Sequence, residues 1–185
     1  MAEMKLFMVL LGCRPKGRNT EQHDVFFGIG AAIKDLVPQF KAFWPGAGTM
    51  HVDAWRAVTI VDNYSIAVVP ARDAGPKQEQ QLFFLNLGGY KEDAFEEFHY
   101  KMLVVAQDKN EAIRQAKRTA FYKHTGIPDA PSHIDDKFGV DVDEMHEVKE
   151  ILTPELTAQF SIRISPASTE MTDKLHLGYF PFHKL

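Results

Sequence analysis

The sequence predicts an α+β fold made of two tandem strand-strand-helix-strand-strand repeats with added C-terminal strands. Three observations carry this. The apolar run Leu6-Phe7-Met8-Val9-Leu10-Leu11-Gly12 recurs as Leu82-Phe83-Phe84-Leu85-Asn86-Leu87-Gly88. Behind each run, alternating apolar residues give way to helical spacing. A hydrophobic share of 45% over 185 residues supplies enough apolar material for a packed core.

The runs are 76 residues apart, and the same offset pairs Glu21 with Glu97, His23 with His99, Asp35 with Glu111 and Gln39 with Gln115. With six residues inserted in the second copy, an offset of 82 pairs His51-Val52-Asp53 with His133-Ile134-Asp135 and Val58 with Val140. Ten of 51 aligned positions are identical, at one register with one gap. The organisation expected is a first repeat over 5–69, a linker over 70–80 and a second repeat over 81–150. A C-terminal extension over 151–185 follows.

Leu6–Leu11 is a continuous apolar stretch closed by Gly12, as in a strand buried on both faces. His23, Val25, Phe27 and Ile29 occupy alternate positions and therefore one face of a second strand. Ile33, Leu36, Val37, Phe40, Phe43 and Trp44 follow a helical rhythm, with Pro38 expected to bend the helix. Val58–Val61 and Tyr64–Val69 flank Asp62-Asn63, a pair able to take the positive φ of a tight hairpin. In the second repeat, Asp108 and Glu111 form a helix start ahead of Ala112–Lys123. In the extension, Phe160, Ile162 and Ile164 alternate with polar residues, and Leu175, Leu177, Tyr179 and Phe182 form another apolar stretch. Both read as strands added to a sheet edge.

This tandem pattern resembles domain-of-unknown-function family 1543, an uncharacterised bacterial family whose members carry one or two copies of the domain. The residues that carry the resemblance are Leu-Gly before the turn, Glu-x-His on strand two, His-[Val/Ile]-Asp after the helix, and Asn86-Leu87-Gly88-Gly89-Tyr90. It spans roughly residues 5–150 and implies a fold but no activity. The first repeat departs from the pattern, with Cys13 where the second has Gly89 and with Asn63 where glycine is common in the turn.

Composition excludes several function classes. A net charge of −4 argues against a nucleic-acid surface. Residues 1–69 carry +1 and residues 82–150 carry −5, a polarity that can orient one half against another. No apolar run approaches the roughly 18 residues of a membrane span. One cysteine forms no intrachain disulfide and suits the cytoplasm. Leu10-Leu11-Gly12-Cys13 spells a lipoprotein cleavage box, but the preceding apolar run is short, Glu3 spoils a basic start, and the second repeat carries the same run mid-chain. It reads as a strand.

Candidate sites are few. Cys13 would need a depressed pKa to act as a nucleophile, and its counterpart is Gly89, so it reads as a small filler. Arg14, Lys16 and Arg18 form a basic loop that could hold an anion or simply be solvated. The carboxylate-dense stretch Asp135–Glu144 lacks the calcium-loop pattern and suits a strand with one wet face. The most informative set is Glu21, His23, His51 and Asp53, with Glu97, His99, His133 and Asp135 as its repeat. Two imidazoles and two carboxylates suit a structural hydrogen-bond network, a zinc or non-haem iron site, or acid–base chemistry.

The structural network is the expectation, with His23 and His99 largely buried and no metal or other cofactor. The protein is then a non-catalytic cytoplasmic binding or self-association protein, forming a homodimer and taking a small ligand the residues do not name. The alternative is a metal-dependent or acid–base enzyme using the Glu/His/His/Asp clusters.

Overall fold

The computed structural model describes residues 2–90, 93, 95–124, 141–167 and 172–185. The chain begins with β1 (Lys5–Cys13) and β2 (Gln22–Gly30), a 3-10 turn (Ile33–Leu36), and α1 (Val37–Phe43). Then come β3 (Met50–Val58), β4 (Ile60–Val61) and β5 (Tyr64–Pro70). β6 (Gln81–Tyr90), β7 (Glu97–Ala106), α2 (Lys109–His124) and β8 (Asp141–Glu147) follow. The chain closes with α3 (Val148–Ile151), α4 (Pro154–Gln159), β9 (Phe160–Pro166) and β10 (His176–Pro181). The fold is α+β, with all strand pairs antiparallel. Among the described residues no helix is long and apolar enough to cross a membrane.

Two compact units emerge: residues 1–76 with 152–185, and residues 77–151. In the first, one sheet has the order β10-β3-β1-β2 and a smaller one the order β4-β5-β9. Odd-numbered residues of β1 (Phe7, Val9, Leu11, Cys13) face the helical layer and pack with Leu36 and Phe40. Phe40 is fully buried and meets Phe26 edge-on at 5.1 Å. The β4–β5 hairpin turns at Asp62 (φ 50°) and Asn63 (φ 64°), a two-residue turn with both positions left-handed, as the residue pair predicts. Both C-terminal strands pair with existing strands, β9 with β5 and β10 with β3. Asp173 fastens the tail by accepting hydrogen bonds from Thr59 N (3.0 Å) and Thr59 Oγ1 (2.5 Å).

Pro38 behaves differently from expectation. It stands in the first turn of α1 and not in a helix interior. The preceding turn is 3-10, so the ring occupies a position where no backbone donor is required and its fixed φ starts the α-helix.

The second unit holds the sheet β7-β6-β8, with α2 packed on Phe83, Leu85, Leu87, Val104 and Ala106 through Ala112 and Ala116. Asp108 Oδ1 caps α2 by accepting from Glu111 N at 2.8 Å. Gln39 donates to the carbonyl of Ile29 (3.0 Å), and Gln115 donates to that of Val105 (3.3 Å), so two residues 76 apart reach carbonyls 76 apart. β8 ends at Glu147, and the helical turn of α3 follows at Val148.

The offset of 82 does not describe the strand after the helix. Gly12 pairs with His51 on β3, while Gly88 pairs with Asp141 on β8, which sets the offset there at 90. The extra length is therefore 14 residues rather than six, and it lies in the longer helix and in the residues before β8.

Phe40→Ala should destabilise the first unit by about 3–5 kcal/mol, the cost of emptying a fully buried aromatic site. Urea denaturation followed by tryptophan fluorescence measures this, since Trp44 and Trp55 both pack on the same core.

Candidate functional site

The face of the first sheet opposite its helical layer carries the cluster. The alternation that points Leu11 and Cys13 toward the helix points Gly12 the other way. Opposite Gly12 stand His23 on β2 and His51 on β3. The register of β3 then slips: Leu11 pairs with Val52 but Leu10 pairs with Ala54, so Asp53 is the extra residue of a β-bulge. Glu21 sits immediately before β2.

These four side chains converge. His51 Nε2 lies 3.1 Å from Glu21 Oε1 and 3.2 Å from Asp53 Oδ1. His23 Nε2 lies 3.3 Å from Asp53 Oδ2 and 3.7 Å from Glu21 Oε2. Burial is graded, with side-chain exposure of 4% for His51, 26% for Asp53, 42% for His23 and 44% for Glu21. The Tyr179 ring lies on His51 with centroids 4.2 Å apart.

Gly12 makes this arrangement possible. A Cβ there would run into Asp53 Oδ2 and His51 Nε2, so the imidazole and the carboxylate lie against bare backbone. Yet the cluster is not a satisfied network. His51 Nε2 and Asp53 Oδ2 are buried without a hydrogen-bond partner, although the facing ion-pair atoms lie 3.1–3.3 Å away. Buried polar atoms without partners are uncommon and call for a physical reason. Among the described residues, no group of three or more His, Cys, Asp and Glu stands posed to hold a metal ion.

The expectation that His23 and His99 are largely buried is overturned. Their side chains are 42% and 37% exposed. β2 and β7 are both edge strands, and each histidine lies toward the end of its strand that joins β1 or β6 by a turn. The buried imidazole is His51, on a strand with neighbours on both sides.

In the second unit, Glu97 and His99 remain side by side at 3.9 Å. His133 and Asp135 lie outside the described residues. The sheet positions of His51 and Asp53 are held there by Asp141 and by Asp143, which falls in a bulge at the matching place. Asp141-Val142-Asp143 has the same X-Val-Asp form as His51-Val52-Asp53, and that was the available signal. Beside it, Asn86 Nδ2 donates to Glu144 Oε2 at 2.6 Å. Tyr179 was missed, since only the pairing of β10 with β3 brings it to His51.

Cys13 is fully buried on the helix-facing side, and burial, with the Glu21 carboxylate adding to it, pushes its thiol pKa up. This is the reverse of what a nucleophile needs. Arg14, Lys16 and Arg18 are exposed in the turn between β1 and β2. Arg18 N donates to Pro15 O at 3.2 Å across Gly17 (φ 82°), and the Arg14 guanidinium donates to Asn19 O at 3.2 Å.

Gly12→Ala should cost about 1–3 kcal/mol, because the new methyl group must displace the His51 ring or the Asp53 carboxylate. Chemical denaturation gives the cost, and a changed environment of the His51 ring protons in NMR spectra locates it.

No curated protein matches the chain. The protein Il1583 from Idiomarina loihiensis, known from a crystal structure, is similar over 97% of this chain and 98% of its own, with a TM-score of 0.64 and 22% identity. At that identity the likeness is one of fold. Residues 18–68, which hold Glu21, His23, His51 and Asp53, match the model of a family described as Domain of Unknown Function (DUF1543).

Proposed function

We propose that the protein is a non-catalytic binding protein and that its ligand is a small cation taken up by Glu21, His23, His51 and Asp53. One observation carries the reading: His51 Nε2 and Asp53 Oδ2 are buried without hydrogen-bond partners beside two carboxylates. An unsatisfied buried polar atom costs about 1–3 kcal/mol, which a ligand that engages it would offset. The ion-pair partners of both carboxylates among the described residues are the two imidazoles, which carry positive charge only when protonated. An incoming cation completes the charge balance. An enzyme using the same cluster is the alternative, and turnover of a substrate would distinguish it.

Self-association is the second part of the proposal, as a homodimer. Leu175, Leu177 and Tyr179 are more than half exposed on and before β10, and Phe95 is fully exposed beside β7. Exposed aromatic and aliphatic groups of this kind favour a partner surface. The matching bulges, the paired Gln39 and Gln115, and glycine at both 12 and 88 support a tandem duplication. A lone buried cysteine fits the bacterial cytoplasm.

Thermal melts in a panel of inorganic cations and small organic ammonium ions test the binding reading. At a ligand concentration 100 times its Kd, the native state gains about 2.7 kcal/mol, which raises the midpoint by several degrees. Asp53→Asn should abolish the rise, and a panel in which nothing stabilises the wild type refutes the reading. Light scattering at micromolar concentration should give twice 21.0 kDa; the monomer mass would refute the dimer.

A further inference from the structure

We infer that the cation is organic: a primary ammonium ion carrying an apolar carbon chain. Its N–H groups are taken by Glu21, Asp53 and His51, and its chain lies along Leu10, Val25, Ala54 and Leu177. The inference rests on the cation-binding reading and names the class of its ligand. Two observations carry it, the spread of the acceptors and the surface beside them. Each carboxylate turns one oxygen to each imidazole, so the acceptors are set out around a ring and converge on no shared centre. That suits a group that donates in several directions over a spherical ion, and a primary ammonium has three N–H donors. Carboxylates only accept, and each imidazole Nε2 offers at most one N–H, so four carboxylate oxygens face at most two donors within the cluster. An ammonium supplies both the missing donors and the missing charge. The open side of the cluster is that of Glu21 and His23, which are both more than two-fifths exposed.

Beside this polar row lies an apolar one. Leu10 stands two residues before Gly12 on β1, and so on the same face about 7 Å away. It pairs with Val25 on β2 and with Ala54 on β3. Ala54 pairs in turn with Leu177 on β10, so the row crosses the whole first sheet. Leu177 is mostly exposed, and Leu10, Val25 and Ala54 are partly so. The exposed Tyr179 lies on His51 where the two rows meet. An antiparallel sheet normally turns polar side chains to water. The second unit does so at the matching place: two residues before Gly88, Asn86 pairs with Lys101 and with Glu144, and it donates a hydrogen bond to Glu144. The fold therefore does not require an apolar row. The first unit carries one directly beside the buried, unpartnered His51 Nε2. A carboxylate cluster with an apolar strip at its side fits an amphiphilic cation, its charged end on the cluster and its carbon chain on the strip.

The test is calorimetric titration of the full chain with methyl-, butyl- and hexylammonium chloride, with 1-hexanol as the uncharged control. Affinity should rise along the series, by up to about fourfold for each methylene the row covers. 1-Hexanol should not bind. Asp53→Asn should abolish hexylammonium binding. Leu177→Ser, at an exposed position, should fold normally and flatten the dependence on chain length. Equal affinity along the series, or binding of inorganic cations alone, overturns the inference and leaves the cation reading standing. 1-Hexanol binding as tightly as hexylammonium, or silence toward every cation, removes both. A Leu177→Ser variant that turns a dimer into a monomer with hexylammonium binding unchanged gives the row to a second copy and overturns the inference.

Discussion

The architecture of the candidate site depends on a side chain that is missing. Gly12 lies near the end of β1, between His23 on β2 and His51 on β3, and its backbone is the floor on which His51 and Asp53 rest. Any other residue would put a carbon where the imidazole and carboxylate now lie. The bulge at Asp53 completes the constraint, because it seats the extra residue beside His51 while restoring Trp55 to the core on the other side. A single backbone irregularity thus serves packing on one face and chemistry on the other.

The two faces of this sheet divide the labour. The helix-facing side is dry and tightly filled, and it takes in the one thiol as a small apolar group. The other side gathers two carboxylates and two imidazoles, one of them deeply buried and unmatched in its hydrogen bonding. Burying such groups unpaired opposes folding. In the proposed reading, a bound cation and not the empty fold is the state in which they are satisfied. β10 contributes to both sides, covering the β3 edge with its backbone and His51 with Tyr179.

Much of this was legible in the residues themselves, and the failures have a common cause. Local rules sufficed for the apolar strand Leu6–Leu11, for the Asp62-Asn63 hairpin and for the Asp108 cap, where the signal and the structure lie within a few residues. The residues of the cluster, Glu21, His23, His51 and Asp53, stood out by residue type and repetition, but their convergence comes only from the register of β1 with β2 and β3 and from the bulge at Asp53. What local rules could not give was pairing between distant segments. The sequence predicts a buried His23 because nothing in Glu-x-His reveals that β2 is an edge. The His133 alignment matched residue types, while the fold instead aligned Asp141 through its register with Gly88. Tyr179 reaches His51 only because a strand more than a hundred residues later docks on β3. Pro38 is the one local exception, since the 3-10 turn before it leaves no trace in apolar periodicity.

Titration of the full chain with small cations, followed by the imidazole nitrogen resonances of His51, gives the most direct view of the central claim. The account predicts that a stabilising cation moves the Nε2 resonance of His51, which lies against Gly12. An Nε2 resonance that no cation moves would contradict it.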